Sequence, residues 1–180
     1  MARIRILDKE FDKNIPYERI EAAVRDMSAR IYDDYQGRQP LFLCVLNGAF
    51  MFAADLFKHY PDPCEISFIK LSSYRDTQST GEVKTLIGLD KDIGGREVII
   101  LEDIVDTGIT VAHLVEDLTR YQPASIRLAT LLLKPDAVQT DVKPDYVGLE
   151  IPNDFIVGYG LDYNGFGRNY KDIYKITDQS

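Results

Sequence analysis

The sequence predicts an α/β fold: a central, mostly parallel sheet with helices on both faces, plus a small hood formed by the terminal segments. Continuous apolar runs at 41–46 and 98–101 lack the alternation of a half-wet strand and fit strands covered on both sides, and 126–133 reads as another buried strand. Stretches of helical period separate them, and that alternation calls for crossovers within a parallel sheet. Neither a repeat nor a linker composition interrupts the 180 residues. One domain is therefore expected over 1–180, with a core at about 17–150 and a hood from 1–15 and 151–180.

Residues 1–15 read as a short edge strand and a connector. From 17 to about 35, Ile20, Val24, Met27 and Ile31 recur at helical spacing among charged residues, giving an amphipathic surface helix. Gly37 and Pro40 end that segment, and Asn47-Gly48 breaks the strand after it. The helix expected at 49–58 is apolar nearly all round (Phe50, Met51, Phe52, Leu56, Phe57), so it is either fully buried or shared with a partner. Pro61 and Pro63 mark a turn, and 65–72 reads as a strand. The polar stretch 73–82 has no apolar period and is either a mobile functional loop or a solvated hairpin. A strand resumes at 83–88, and Gly94-Gly95 sits in a turn. Val111, Leu114, Val115 and Leu118 form another helix stripe. Short strands are expected at 146–150 and 155–159, before a tail rich in Asp, Tyr, Asn and Gly.

Composition excludes several classes. A net charge of −8 argues against a nucleic-acid partner held by phosphate neutralisation. The hydrophobic fraction, 45%, is that of an ordinary globular protein. Two cysteines, Cys44 and Cys64, lie in or beside apolar segments without a CxxC pair, as expected of reduced thiols in a cytoplasmic protein. The N-terminus lacks the apolar core of a signal peptide, and no run approaches the ~18 residues of a membrane span, so no membrane partner is expected. There is no GxxxxGK[ST], GxGxxG or GxSxG pattern, and His59 and His113 stand alone, with no zinc spacing.

The chemistry concentrates in Val98-Ile99-Ile100-Leu101-Glu102-Asp103-Ile104-Val105-Asp106-Thr107-Gly108-Ile109-Thr110. It reads as a buried strand, an acidic strand end, a tight loop and a helix start, where α/β proteins place ligands. Free N–H groups at a helix N-terminus cradle phosphate, and adjacent carboxylates suit a divalent metal. Neighbours on a strand point to opposite faces, so Glu102 and Asp103 are not expected to touch one atom. They suit the two hydroxyls of a sugar, or a metal reached through water. Thr107 and Thr110 add hydroxyls, and Gly108 permits close backbone approach. Together these suit a sugar phosphate.

This stretch resembles the phosphoribosyl-pyrophosphate motif of type I phosphoribosyltransferases, and four further segments, in order, resemble the hypoxanthine-guanine phosphoribosyltransferases. Leu43-Cys44-Val45-Leu46-Asn47-Gly48 resembles their pyrophosphate loop. Ser72-Ser73-Tyr74, with the polar residues to Gly81, resembles their flexible loop. Leu132-Leu133-Lys134 resembles the strand end with the purine-reading lysine. Phe155-Ile156-Val157-Gly158-Tyr159-Gly160-Leu161-Asp162-Tyr163 resembles the hood segment that stacks on the base. Two positions depart from many relatives: Asn47 replaces a basic residue in the pyrophosphate loop, and Asp154 replaces a lysine before the hood aromatic.

The resemblance implies the type I phosphoribosyltransferase fold. It also implies Mg²⁺-dependent transfer of a phosphoribosyl group from phosphoribosyl pyrophosphate (PRPP) to hypoxanthine or guanine, giving IMP or GMP in purine salvage. Glu102, Asp103, Asp106, Thr107, Gly108, Ile109 and Thr110 would bind PRPP, with Glu102, Asp103 and Asp162 near metal. Asn47, Gly48, Ser73, Tyr74 and Arg168 would face pyrophosphate. Lys134, Phe155, Ile156 and Asp162 would face the purine, and Asp106, Lys134 and Tyr74 would carry catalysis. The apolar helix at 49–58 suggests a homodimer or homotetramer. A regulatory nucleotide- or RNA-binding protein on the same fold is the main rival, disfavoured by the charge and by the lack of a Lys/Arg cluster. A transferase for xanthine or a pyrimidine is the second; Lys134 and the hood favour 6-oxopurines without separating hypoxanthine, guanine and xanthine.

Overall fold

The computed structural model describes residues 2–73 and 83–177. Thirteen helices and strands are named here in chain order: β1 (Arg3–Ile6), β2 (Lys9–Ile15), α1 (Tyr17–Tyr35), β3 (Leu41–Leu46), α2 (Phe50–His59), β4 (Glu65–Ser73), β5 (Val83–Ile87), β6 (Glu97–Val105), α3 (Ile109–Thr119), β7 (Ser125–Leu133), β8 (Tyr146–Glu150), β9 (Ile156–Val157) and β10 (Ile173–Ile176). Tyr74, with most of the polar stretch after β4, lies outside the described residues.

The central sheet runs β5-β4-β3-β6-β7-β8. All its pairings are parallel except β4 with β5, which is antiparallel. Residues of β3 alternate between two cores. Phe42 and Cys44 pack with Ile20, Val24, Met27, Ile31, Phe52 and Leu56 of α1 and α2. Leu41, Leu43 and Val45 pack with Val111, Leu114 and Leu118 of α3. A strand buried on both faces has no polar side to show, which is why the apolar runs are unbroken.

The hood is a second sheet of order β1-β2-β10-β9, antiparallel throughout. Its core is Ile6, Phe11, Val157 and Tyr174. Two expectations change here. Residues 1–15 form a hairpin of two strands, not one strand and a connector, and the tail supplies β10. The strand expected over 155–159 shrinks to Ile156–Val157, because Gly158, Tyr159 and Gly160 take positive φ. The hood is latched to the core by Asp172, which is buried, accepts from the Tyr17 N–H at the start of α1 (2.8 Å) and pairs with Lys13 Nζ (2.5 Å).

The α2 helix is less enclosed than its composition suggested. Phe52, Ala53, Asp55 and Leu56 are buried, whereas Phe50 is 42% exposed.

Candidate active site

Strand β6 carries the site. Its acids do not mark its end: the strand continues through Ile104 to Val105. The inside–outside phase reverses across them. Ile99 and Leu101 face the α1/α2 core, and Ile104 joins that same core despite its opposite parity. Val98, Ile100 and Val105 face α3. Strict alternation therefore fails at Glu102-Asp103; Glu102 lines the cavity at the turn into α3, whereas the Asp103 carboxyl lies against Gly48.

Asp103 is buried and Glu102 partly so, and protonation of both is favoured. Burial pushes Glu102 well above the usual carboxylate range, and the neighbouring Asp103 charge adds to the rise. Burial raises Asp103 as well, opposed by the Ile104 N–H, which donates to Oδ1 at 2.8 Å, and by the Arg168 charge. Glu102 Oε2 is buried with no donor facing it. An orphaned carboxylate oxygen beside a second carboxyl fits a group that brings positive charge or hydroxyl donors, a hydrated divalent cation or a ribose. Beneath them, burial pushes the Cys44 thiol up to about 12, so it is no nucleophile.

Beyond Val105 the chain turns through Asp106-Thr107-Gly108 into α3. Gly108 caps the helix at φ +79°, a left-handed conformation that glycine adopts without strain. The first-turn N–H groups have no intrahelical acceptor and face outward. Thr107 Oγ1 accepts from the Ile109 N–H at 3.4 Å. Glu102, Ile104, Val105, Asp106, Thr107, Gly108, Thr110 and Val111 line a cavity of about 130 Å³. One support escaped sequence reading: the segment after β7 backs this loop. The Gln139 N–H donates to Thr107 O at 2.9 Å, and Thr140 Oγ1 sits where a side chain at Gly108 would be.

Lys134 follows β7, the parallel neighbour of β6, so it emerges beside Asp106. Its N–H donates to Val105 O at 3.0 Å, and its Nζ lies 3.2 Å from Asp106 Oδ2. The lysine is 7% exposed, whereas the Asp106 side chain is 48% exposed. A buried lysine thus meets a half-exposed carboxylate.

On the other side, the Leu46–Asn47 peptide is cis and leads to Gly48. A Cβ on Gly48 would collide with the Asp103 carboxyl, and one on Gly160 would collide with Gly48 O. Asp103, Gly48 and Gly160 are therefore stacked without space for a methyl group. Arg168 joins the stack: its guanidinium donates to Gly160 O at 2.7 Å and pairs with Asp162 Oδ1 at 2.6 Å. Asp162 also accepts from the Gly165 N–H at 2.6 Å. Among the described residues no three of His, Cys, Asp and Glu converge as a metal set.

In the hood, Phe155 is 46% exposed and packs edge-on to Tyr163 at 5.9 Å. Phe155 O accepts from the Ile176 N–H, so Ile156, opposite Lys175, occupies a non-hydrogen-bonded position of the ladder. Its N–H and C=O therefore point out of the sheet edge. Asp154 pairs with Lys175 at 2.9 Å. The backbone of Ser73 ends β4; nothing else of the polar loop falls in the described residues.

Residues 16–164 match the family described as "Phosphoribosyl transferase domain". A hypoxanthine-guanine phosphoribosyltransferase of Bacillus subtilis is 46% identical over 157 residues, spanning 86% of this chain and 87% of its own. A crystal structure of a hypoxanthine-guanine phosphoribosyltransferase from Bacillus anthracis superposes with a TM-score of 0.88 at 38% identity, over 92% of this chain and 98% of that one. Hypoxanthine phosphoribosyltransferase from Trypanosoma cruzi, solved in complex with the product IMP, gives 0.87 at 34% identity over 97% and 98%. Likeness of this extent, in sequence and in fold together, places the chain within the phosphoribosyltransferase family, where it belongs with the hypoxanthine-guanine phosphoribosyltransferases.

Proposed function

We propose that this protein transfers the phosphoribosyl group of PRPP to N9 of hypoxanthine or guanine, forming IMP or GMP and releasing pyrophosphate, as in purine salvage. The observation that carries this reading is the buried Lys134 ammonium held against the half-exposed Asp106 carboxylate, directly beside the amide-rich turn into α3. A 6-oxopurine presents an acceptor at O6 and a proton at N7. A donor and an acceptor side by side match that edge, whereas the 6-amino group of adenine would set donor against donor.

The N–H groups at the start of α3, with Thr107 and Thr110, hold the 5-phosphate. Glu102 and Asp103 hold the ribose hydroxyls, and their burial aligns both carboxyls before substrate arrives. Phe155 stacks on the base, and Ile156 offers outward backbone groups to its edge. Asn47-Gly48 and Arg168 hold pyrophosphate, with Gly48 amide geometry in place of a side-chain charge at Asn47. Asp162 anchors Arg168 from the hood side.

In the chemical step the bond from C1 to the pyrophosphate oxygen breaks, and its electron pair leaves with pyrophosphate. C1 passes through an oxocarbenium-like state, N9 supplies the electrons of the new bond, and Asp106 accepts the N7 proton. Glu102 and Asp103 fit Mg²⁺ with its water shell, an ion that normally keeps several waters and completes its set from substrate phosphates. Bound there, Mg²⁺ would neutralise the departing pyrophosphate. Ser73 and Tyr74 are assigned from sequence to a segment that shields C1 from water.

We read 1–180 as one catalytic domain acting in the cytoplasm; no helix among the described residues is long and apolar enough to cross a membrane. Exposure of Phe50 on α2 supports a homodimer or homotetramer. The test is a panel of bases, hypoxanthine, guanine, xanthine, adenine and uracil, each with PRPP and Mg²⁺. Nucleotide should form with hypoxanthine and guanine; turnover confined to adenine or uracil would refute the reading.

A further inference from the structure

Tyr159 is fully buried, yet it is not a plain core residue. It holds a left-handed backbone (φ +49°) that residues with a Cβ rarely adopt. Its hydroxyl donates to Asp55 Oδ2 at 2.7 Å. Asp55 is itself buried, on a helix otherwise given to apolar residues, and it also accepts from Tyr17 O–H of α1 at 3.3 Å and pairs with Lys58 Nζ at 2.7 Å. One carboxylate therefore ties α1, α2 and the C-terminal segment together.

What this tie holds lies on either side of it. Two residues before α2 is Gly48. One residue after Tyr159 is Gly160, packed so tightly on Gly48 O that a Cβ would collide with it. The Gly160 N–H donates to Arg168 O at 3.0 Å, and Gly160 O accepts from the Arg168 guanidinium at 2.7 Å. The Tyr159 N–H donates to Tyr170 O at 2.7 Å. Gly48 on one side and Arg168 on the other thus meet at Gly160, and the residue before it, Tyr159, holds a left-handed backbone with its side chain bolted to Asp55.

We propose that the Tyr159–Asp55 hydrogen bond is a positioning device for the pyrophosphate site: it fixes Gly160 against Gly48 and so sets the distance between the Asn47-Gly48 loop and Arg168. Tyr159 and Asp55 are positioning residues and touch no substrate. The inference rests on the reading of Gly48 and Arg168 as pyrophosphate ligands. A tyrosine is suited to the task because its rigid ring reaches from a backbone that cannot relax without leaving φ +49°. Its hydroxyl then fixes rotation of the whole turn.

The experiment measures KM for pyrophosphate in the reverse reaction, with IMP saturating, alongside the thermal unfolding midpoint. Tyr159→Phe removes only the hydroxyl and should raise KM for pyrophosphate about tenfold, a loss typical of small misplacement, with KM for IMP unchanged. Asp55→Asn keeps an acceptor for Tyr159 and should stay near the parent value, while Asp55→Leu should match Tyr159→Phe. A lowered unfolding midpoint in Tyr159→Phe with an unchanged KM for pyrophosphate would overturn the proposal and leave a structural bond only. Arg168→Met separates the two readings. If it raises KM for pyrophosphate and Tyr159→Phe does not, the positioning claim alone fails; if neither does, the pyrophosphate assignment fails with it.

Discussion

Lys134 Nζ lies 3.2 Å from Asp106 Oδ2, the one group buried and the other half-exposed. This asymmetry matters more than the ion pair itself. A buried cationic group needs a partner, and the partner here is the carboxylate proposed to meet the base. On the proposed function, the purine would present O6 and N7 to this pair and replace part of their mutual contact.

Asp106→Asn keeps the size of the side chain and removes the proton acceptor. Nucleotide formation should fall about a hundredfold or more while PRPP binding is retained, read from steady-state rates and direct titration. A rate equal to the parent enzyme would remove Asp106 from the proton transfer.

Glu102 gives a pH signature. Its folded form, like that of Asp103, binds protons more tightly than the unfolded chain, because burial raises both. Stability from these groups is therefore fullest below the ordinary carboxylate range and declines as pH rises through the raised values. The thermal midpoint of the free protein should fall from about pH 4.5 upward. Glu102→Gln should flatten that slope, and so should saturating Mg²⁺ with PRPP, which takes the ionised pair. A slope unchanged by both would show that the pair does not titrate in this way.

Gly48→Ala tests the stack of Asp103, Gly48 and Gly160. The new methyl group would overlap the Asp103 carboxyl, so the loop or the acid must move. Activity should drop about a hundredfold with the fold retained, as judged by circular dichroism. Wild-type turnover in this variant would mean the loop has room the stack denies.

Asp172→Ala removes the latch between hood and core. It leaves the Tyr17 N–H and Lys13 without their acceptor. Unfolding stability should fall by about 2 kcal/mol, measured by denaturant titration. The denaturation slope should not change. A loss no larger than that of an exposed substitution would place the latch elsewhere.

Much of this was legible in the chain. Leu41–Leu46 announced a doubly covered strand because both of its faces are apolar, and the burial of every residue from Leu41 to Val45 follows. Asp106 to Thr110 announced a tight loop and a helix start, and α3 begins at Ile109 behind Gly108. Other features left no local trace. β10 spans only Ile173–Ile176, too short to show a period, and forms because β2 and β9 each offer it an edge. The phase reversal within β6, across Glu102 and Asp103, is one that alternation rules do not contain. Asp55 carries no local signal of its role, since its partner Tyr159 lies 104 residues away.

The most direct measurement is the ratio of kcat/KM for hypoxanthine to that for adenine, in the parent enzyme and in Lys134→Gln. The account expects strong preference for hypoxanthine in the parent. It expects that preference to shrink by about a hundredfold once the amide, which can both donate and accept, replaces the ammonium. An undiminished preference in Lys134→Gln, or a parent enzyme that favours adenine, would contradict the assignment of Lys134 and Asp106 as the pair that reads a 6-oxopurine.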